Sequence, residues 1–117
     1  MKALSFLRCI LWTGLAATFI SSATSAQTFP SKPIKIVIGF PAGGPLDQHG
    51  RLWADKLGTA LGQPVIIDYK PGAGGTIGAA EVAKSPPDGH TLLLANTGTM
   101  VINPALYKKI QYDTIKD

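Results

Sequence analysis

Three short apolar runs, residues 34–40, 65–69 and 91–95, each end in a turn-rich loop, and the two gaps between them carry helical spacing. That alternation limits the fold more tightly than any other feature of the chain. β-Branched runs bounded by turn residues read as strands, and runs with few polar interruptions suit strands covered on both faces. After the first run, Pro41-Ala42-Gly43-Gly44-Pro45 breaks the pattern. From there Leu46, Trp53, Leu57, Ala60 and Leu61 recur at spacings of three, four or seven, as a core-facing helical stripe requires, and Gly62 is a stop signal. Residues 76–84, rich in alanine with Ile77, Ala80 and Val82, predict a second, shorter helix, ended by the turn Pro86-Pro87-Asp88-Gly89. A polar loop follows the third run at Asn96, Thr97, Gly98 and Thr99, and Asn103-Pro104 begins a helical turn through Tyr107. Strands alternating with helices in βαβαβ order predict an α/β fold with a parallel sheet, in which the first strand is expected to be central.

The segment before the first strand has another character. Lys2 and Arg8 bracket the start of the chain, an apolar run covers residues 9–20, and Ser21-Ser22-Ala23-Thr24-Ser25-Ala26 follows. This is the layout of a secretory signal peptide, expected over residues 1–26, with mature protein beginning at Gln27. The apolar run is short of the roughly 20 residues that cross a bilayer. Of 117 residues, 91 would remain, enough for one small domain with a modest core and too few for a large enzyme. Loss of Lys2 and Arg8 takes eleven basic residues to nine against seven acidic ones, so the formal charge falls from +4 to +2. The remaining lysines are scattered, without an arginine cluster or a basic stripe, so no nucleic-acid partner is expected. Cys9, the only cysteine, lies in the expected leader, and no disulfide or thiol chemistry is expected after it.

In an open parallel sheet the three loops that follow the strands open on one edge, where ligands bind. Two of them, 40–45 and 71–76, are glycine-rich and run into helices, so backbone N–H groups and the helix dipole favour an anion there, a carboxylate or a phosphate. The competing reading is that each glycine only lets the chain reverse into its helix. Gly72-Ala73-Gly74-Gly75-Thr76-Ile77-Gly78 approaches the dinucleotide fingerprint but has isoleucine at position 77, where the third glycine belongs. A small nucleotide-dependent α/β enzyme is therefore the alternative function, and a truncated product with no function is a third reading. Asp47 reads first as a helix-start carboxylate that complements the dipole and second as a ligand contact. His49 and His90 stand apart, each read as a surface or turn residue without Cys, Asp or Glu at metal-ligand spacing. There is no nucleophile elbow, and Ser31 and Ser85 sit beside prolines, so no catalytic residue, metal or cofactor is expected.

Phe29-Pro30-Ser31-Lys32-Pro33-Ile34-Lys35-Ile36-Val37 and Phe40-Pro41-Ala42-Gly43-Gly44, the latter with Asp47 and Arg51, open an ordered set of motifs. Gly62-Gln63-Pro64-Val65, Lys70-Pro71-Gly72-Ala73-Gly74-Gly75-Thr76-Ile77-Gly78-Ala79 and Pro86-Pro87-Asp88-Gly89-His90-Thr91-Leu92-Leu93 continue it. Asn103-Pro104-Ala105-Leu106-Tyr107 and Tyr112-Asp113 end it. Together they resemble the Bug family, the periplasmic solute receptors of tripartite tricarboxylate transporters. The resemblance implies a periplasmic-binding-protein fold of the type II, Venus-flytrap kind. Residues 27–117 would be the amino-terminal part of lobe one, with the second lobe absent. It also implies a monomeric, non-enzymatic receptor in the periplasm that closes on a small di- or tricarboxylic acid and, when full-length, delivers it to membrane permease subunits.

In that family the ligand carboxylate is held by loop amides, hydroxyls and water. The matching positions are Phe40, Pro41, Ala42, Gly43 and Gly44 in the first loop, Gly74, Gly75 and Thr76 in the second, and Asn96, Thr97 and Thr99 in the third. Asp47, the helix-start residue, completes the candidate set. Three departures stand out: Gly50 where alanine is usual, Tyr69 where asparagine is common, and Pro45, which stiffens the first loop. These residues do not select the ligand: citrate, other di- or tricarboxylates, amino acids and aromatic acids all stay open. Half a clamp with an unpaired sheet edge is expected to be marginally stable. Residues 27–117 should melt below about 50 °C by circular dichroism, and a cooperative transition well above that would contradict the truncated-lobe reading.

Overall fold

A computed structural model of the chain describes residues 28–117, and the expected signal peptide lies outside them. In chain order the elements are β1 (Ile34–Ile38), α1 (Pro45–Leu61), β2 (Val65–Tyr69), a 3-10 turn (Ala73–Gly75), α2 (Thr76–Ala83), β3 (Thr91–Leu94), a π turn (Gly98–Ile102) and α3 (Asn103–Leu106). The strands form one parallel sheet in the order β2-β1-β3, with Ile36 opposite Ile67 on one side and Leu92 on the other. The expected βαβαβ order and the central first strand are both present.

β1 is the buried strand because a helix covers each of its faces. Ile36 and Ile38 pack with Ala54, Leu46 and Leu57 of α1. Val37 points the other way, and a Cβ on Gly78 of α2 would lie 3.4 Å from its Cγ1. Val37 and Ile38 are fully buried, and burying such a side chain contributes about 1.5–3 kcal/mol. On the α2 side, Lys35 and Lys70 share the carboxylates of Asp68 and Glu81 at 3.3–3.6 Å. These pairs are partly exposed and add little stability singly.

α1 starts at Pro45, where a missing N–H costs no hydrogen bond, and ends at Gly62, which takes a φ of 65° and donates to Gly58 O at 3.0 Å. Its buried residues are Asp47, Gly50 and Ala54. Trp53 and Ala60, expected in the core stripe, are instead exposed, Trp53 by 58%. The small residues at 50 and 54 let the helix settle onto the sheet. The seven-residue step from Leu46 to Trp53 then lands on the flank of that contact.

The segment 96–99 also differs from the expected loop. Thr97 has right-handed helical angles, Asn96 O accepts from Met100 N at 3.1 Å, and the π turn runs directly into α3. Asn96 and Thr97 stay exposed as a solvated loop would have them, but Thr99 is turned inward and buried, as is Asn103 just beyond it. His90 is a turn residue but a buried one, with Phe29 edge-on at 4.8 Å between ring centroids and Ser31 N donating to its Nε2 at 3.2 Å. His49 is exposed, as expected.

Gly50 has a physical reason to be glycine. A Cβ there would stand 2.8 Å from Ile38 Cδ1 and 3.3 Å from Leu94 Cδ2, so the absent methyl is space that sheet side chains fill. Gly50→Ala gains up to about 1 kcal/mol in helix propensity but must displace the tip of Ile38. Alone it is expected to be neutral or destabilising; in an Ile38→Val background, which removes Cδ1, it should stabilise. A urea-unfolding cycle should give a coupling of about 1 kcal/mol, and additivity within about 0.3–0.5 kcal/mol would show that Ile38 is not the obstacle.

Candidate functional site

Because all three strands run the same way, the segments after Ile38, Tyr69 and Leu94 emerge on one edge of the sheet. Glycines bring the first two together. A Cβ on Gly39 would lie 2.7 Å from Gly75 Cα, and one on Gly78 3.1 Å from Gly39 Cα, so backbone meets backbone where β1 ends and α2 begins. Gly75, with a φ of 90°, is also closed in by the Thr99 hydroxyl and by Phe40 Cε2, which would be 3.0 Å from its Cβ. First, second and third segments therefore touch at a single point.

Beside that point lies an open cleft of about 440 Å³ lined by Phe40, Pro41, Ala42, Gly44, Pro45, Leu46 and Asn96. Five of the twelve candidate residues thus share one cleft wall. Gly43 sits between them in the first loop with a φ of 89°. Gly75 and Thr99 stand behind the Phe40 ring, and Thr97 is exposed at the start of the third segment. Thr76 borders a separate hollow of about 210 Å³ with Ala73, Ile77, Tyr107 and Lys109. Gly74 is exposed, and its carbonyl accepts from Thr99 Oγ1 at 3.1 Å and from Asn103 Nδ2 at 2.9 Å.

These contacts determine which donors are left. Gly43 N–H goes to Asp47 Oδ2 at 2.7 Å, and Gly75 N–H to Gly72 O at 2.9 Å. Among the described residues, the N–H groups of Ala42, Gly44 and Gly74 have no acceptor. Asn96 Oδ1 accepts from Thr99 N at 3.0 Å and lies 3.2 Å from Thr99 Oγ1. Only a carbonyl oxygen can accept from the Thr99 N–H, so the Nδ2 end of the Asn96 amide is the one left with two hydrogens to offer. Thr99 is held in turn by Tyr112, whose hydroxyl donates to Thr99 O at 2.5 Å. Asn103 and Tyr112 are supporting residues that pattern reading misses, because nothing local marks their partners.

Asp47 lies in the first turn of α1 and is 3% exposed. Oδ1 accepts from Arg51 Nε at 2.8 Å and from the Tyr69 hydroxyl at 2.5 Å, while Oδ2 takes the Gly43 amide. It is a helix-start carboxylate, as first read, and it joins α1, the end of β2 and the first loop. Among the described residues no group of three or more His, Cys, Asp or Glu is placed to hold a metal ion.

Residues 50–117 match the family model of the tripartite tricarboxylate transporter family receptor. A UPF0065 protein of Bordetella bronchiseptica is 47% identical over 95 residues, covering 81% of this chain and 28% of its own. Protein BugT of Bordetella pertussis is 38% identical over 104 residues, covering 88% and 32%. The chain therefore spans about three-tenths of the length of these relatives. Among solved structures, MatC from Rhodopseudomonas palustris with bound malate superposes with a TM-score of 0.70 at 41% identity, over 74% of this chain and 29% of that one. Rpa4515 of R. palustris with adipate gives 0.73 at 35% identity, over 76% and 30%.

The donors around Asp47 also make the first loop's anchorage depend on pH. The hydrogen bond from Arg51, then those from Tyr69 and the Gly43 amide, lower the Asp47 carboxyl from its ordinary 3.8 to about 2. Asp88 is likewise lowered to about 2, first by Lys32 and then by the His90 amide. A group with a folded pKa below its unfolded one stabilises fully above the unfolded value and loses that contribution as pH falls through the folded value. Stability should therefore drop between about pH 4 and pH 2. Asp47→Asn should be less stable than wild type near neutral pH and should lose less on acidification. Urea unfolding across that window checks this; equal acid losses in the two proteins would remove Asp47 from the account.

Proposed function

The chain belongs to the tripartite tricarboxylate transporter receptor family, and from that premise we propose that it is the amino-terminal part of lobe one of a periplasmic receptor for a small organic acid. Residues 1–26 act as a cleaved leader, and residues 27–117 form one wall of the clamp. The protein binds and releases its ligand without chemical change. In its full-length form it hands the ligand to permease subunits in the membrane.

The observation that carries this reading is the orientation of Asn96. Thr99 occupies its carbonyl end, which leaves a neutral N–H2 donor on a residue of the cleft wall. Unpaired amides at Ala42, Gly44 and Gly74 add further neutral donors on the same edge. Neutral donors at a helix start suit a carboxylate without the desolvation that a buried arginine would demand. Phe40, Pro41 and Leu46 offer an apolar surface for the carbon chain of the acid. Malate and adipate in two structural relatives have this same character, a short carbon chain with carboxylates at its ends. Gly43, Asp47, Gly75 and Thr99 shape and support the wall, while Thr76 borders the neighbouring hollow.

One wall of a two-lobed clamp supplies contacts from a single side, so residues 27–117 by themselves are expected to bind weakly. Calorimetric titration of the chain with malate and adipate should give a measurable but shallow isotherm. Asn96→Ala should weaken it by about tenfold, as expected for one lost hydrogen bond to a charged group, and Asn96→Asp should abolish it by placing like charges together. Selective binding of NADP in place of either acid, or an Asn96→Asp variant that binds like wild type, would overturn the reading.

A further inference from the structure

We propose that Tyr69 is a positioning residue for the carboxylate site, acting through Asp47 on the Gly43 amide of the first loop. This rests on the carboxylate-receptor reading, and it assigns a role to a residue that lines no part of the cleft. Tyr69 is the last residue of β2, and its ring packs against the core cluster of Ile36, Ile38 and Ala54. The next residue, Lys70, donates its N–H to Ile38 O at 2.8 Å, which ties this end of β2 to the central strand. The Tyr69 hydroxyl is therefore delivered from a rigid base to Asp47 Oδ1 at 2.5 Å.

A carboxylate turns easily about its last torsion, so one oxygen must be gripped before the other can be aimed. Arg51 grips Oδ1 from a side chain that is 65% exposed, and an exposed ion pair holds geometry weakly. Tyr69 grips the same oxygen from the core side, and Arg51 Nη2 reaches its hydroxyl at 3.3 Å. With Oδ1 held twice, Oδ2 is left facing Gly43 N at 2.7 Å. Gly43 has a positive φ of 89°, which glycine adopts readily but has no side chain to hold, so the Asp47 contact is what fixes it. Gly44, whose amide is one of the free donors, is the next residue and the N-cap of α1. The phenol therefore sets where that amide points, and it does so without adding charge to a site meant for an anion.

The test uses the full chain, with malate as the probe and the Gly43 amide as the reporter. Tyr69→Phe keeps the ring packing and removes only the hydroxyl. In that variant the Gly43 amide proton should lose its downfield shift and exchange with solvent at least about tenfold faster, while the Gly75 amide is unchanged. Malate affinity should fall by about fivefold. Asp47→Asn should move the same Gly43 resonance, and adding Tyr69→Phe to it should move it no further. An unchanged Gly43 amide in Tyr69→Phe beside normal malate binding overturns the role of Tyr69 alone. A loosened Gly43 with unchanged malate affinity overturns it too, by making the contact purely structural. A wild-type chain that binds neither malate nor adipate sinks the carboxylate reading, and the positioning role with it, whatever Gly43 does.

Discussion

Because β1 takes parallel partners along both edges, the three strands deliver their carboxyl ends to one side of the sheet, and every feature of the cleft follows from that delivery. Parallel pairing requires a crossover helix each time. The two crossovers contact opposite faces of β1, α1 through Ile36 and Ile38 and α2 through Val37. The central strand is thus the point where hydrophobic burial and ligand geometry are the same problem. A residue lost from β1 would disturb the loops as well as the core.

Glycine and one buried carboxylate then convert a general α/β edge into a defined wall. Gly39, Gly75 and Gly78 permit a backbone-to-backbone approach that no side chain would tolerate, and this sets the second loop against the base of the first. Asp47 does the complementary work on the other side, collecting donors from the loop, the helix and β2. Its negative charge is taken up by three internal donors, so it sits behind an anion site without opposing it. The N–H groups of Ala42, Gly44 and Gly74 are left without acceptors among the described residues.

Most of the fold is legible in the sequence because its signals are local. The β-branched runs, the stop at Gly62 and the turn at Pro86-Pro87-Asp88-Gly89 mark β1, α1, β2, α2 and β3 to within two residues of their observed bounds. The cleft is legible to the extent that strand order places Phe40–Gly44 and Asn96 on one edge. What is not legible depends on contacts distant in sequence. Trp53 fits a helical stripe but loses its place in the core to the smaller Gly50 and Ala54, whose value appears only against Ile38 and Leu94. The third segment has loop composition, yet Thr99 and Asn103 bond to Gly74, more than twenty residues earlier, and the chain winds into a π turn to bring them there. Tyr69 stands out in the sequence only as a departure from the family pattern, and its role shows only when Asp47, twenty-two positions back, is seen beside its hydroxyl.

The claim most exposed to test is the location of the ligand. Two hollows lie near the loops, one walled by Phe40, Ala42, Gly44 and Asn96 and the other by Ala73, Thr76, Tyr107 and Lys109. Amide-resolved NMR of the chain titrated with malate separates them. The account predicts that shifts concentrate on the backbone amides of Ala42, Gly44 and Gly74 and on the Asn96 side-chain amide. Shifts confined to Ala73, Tyr107 and Lys109, with Asn96 silent, would contradict it.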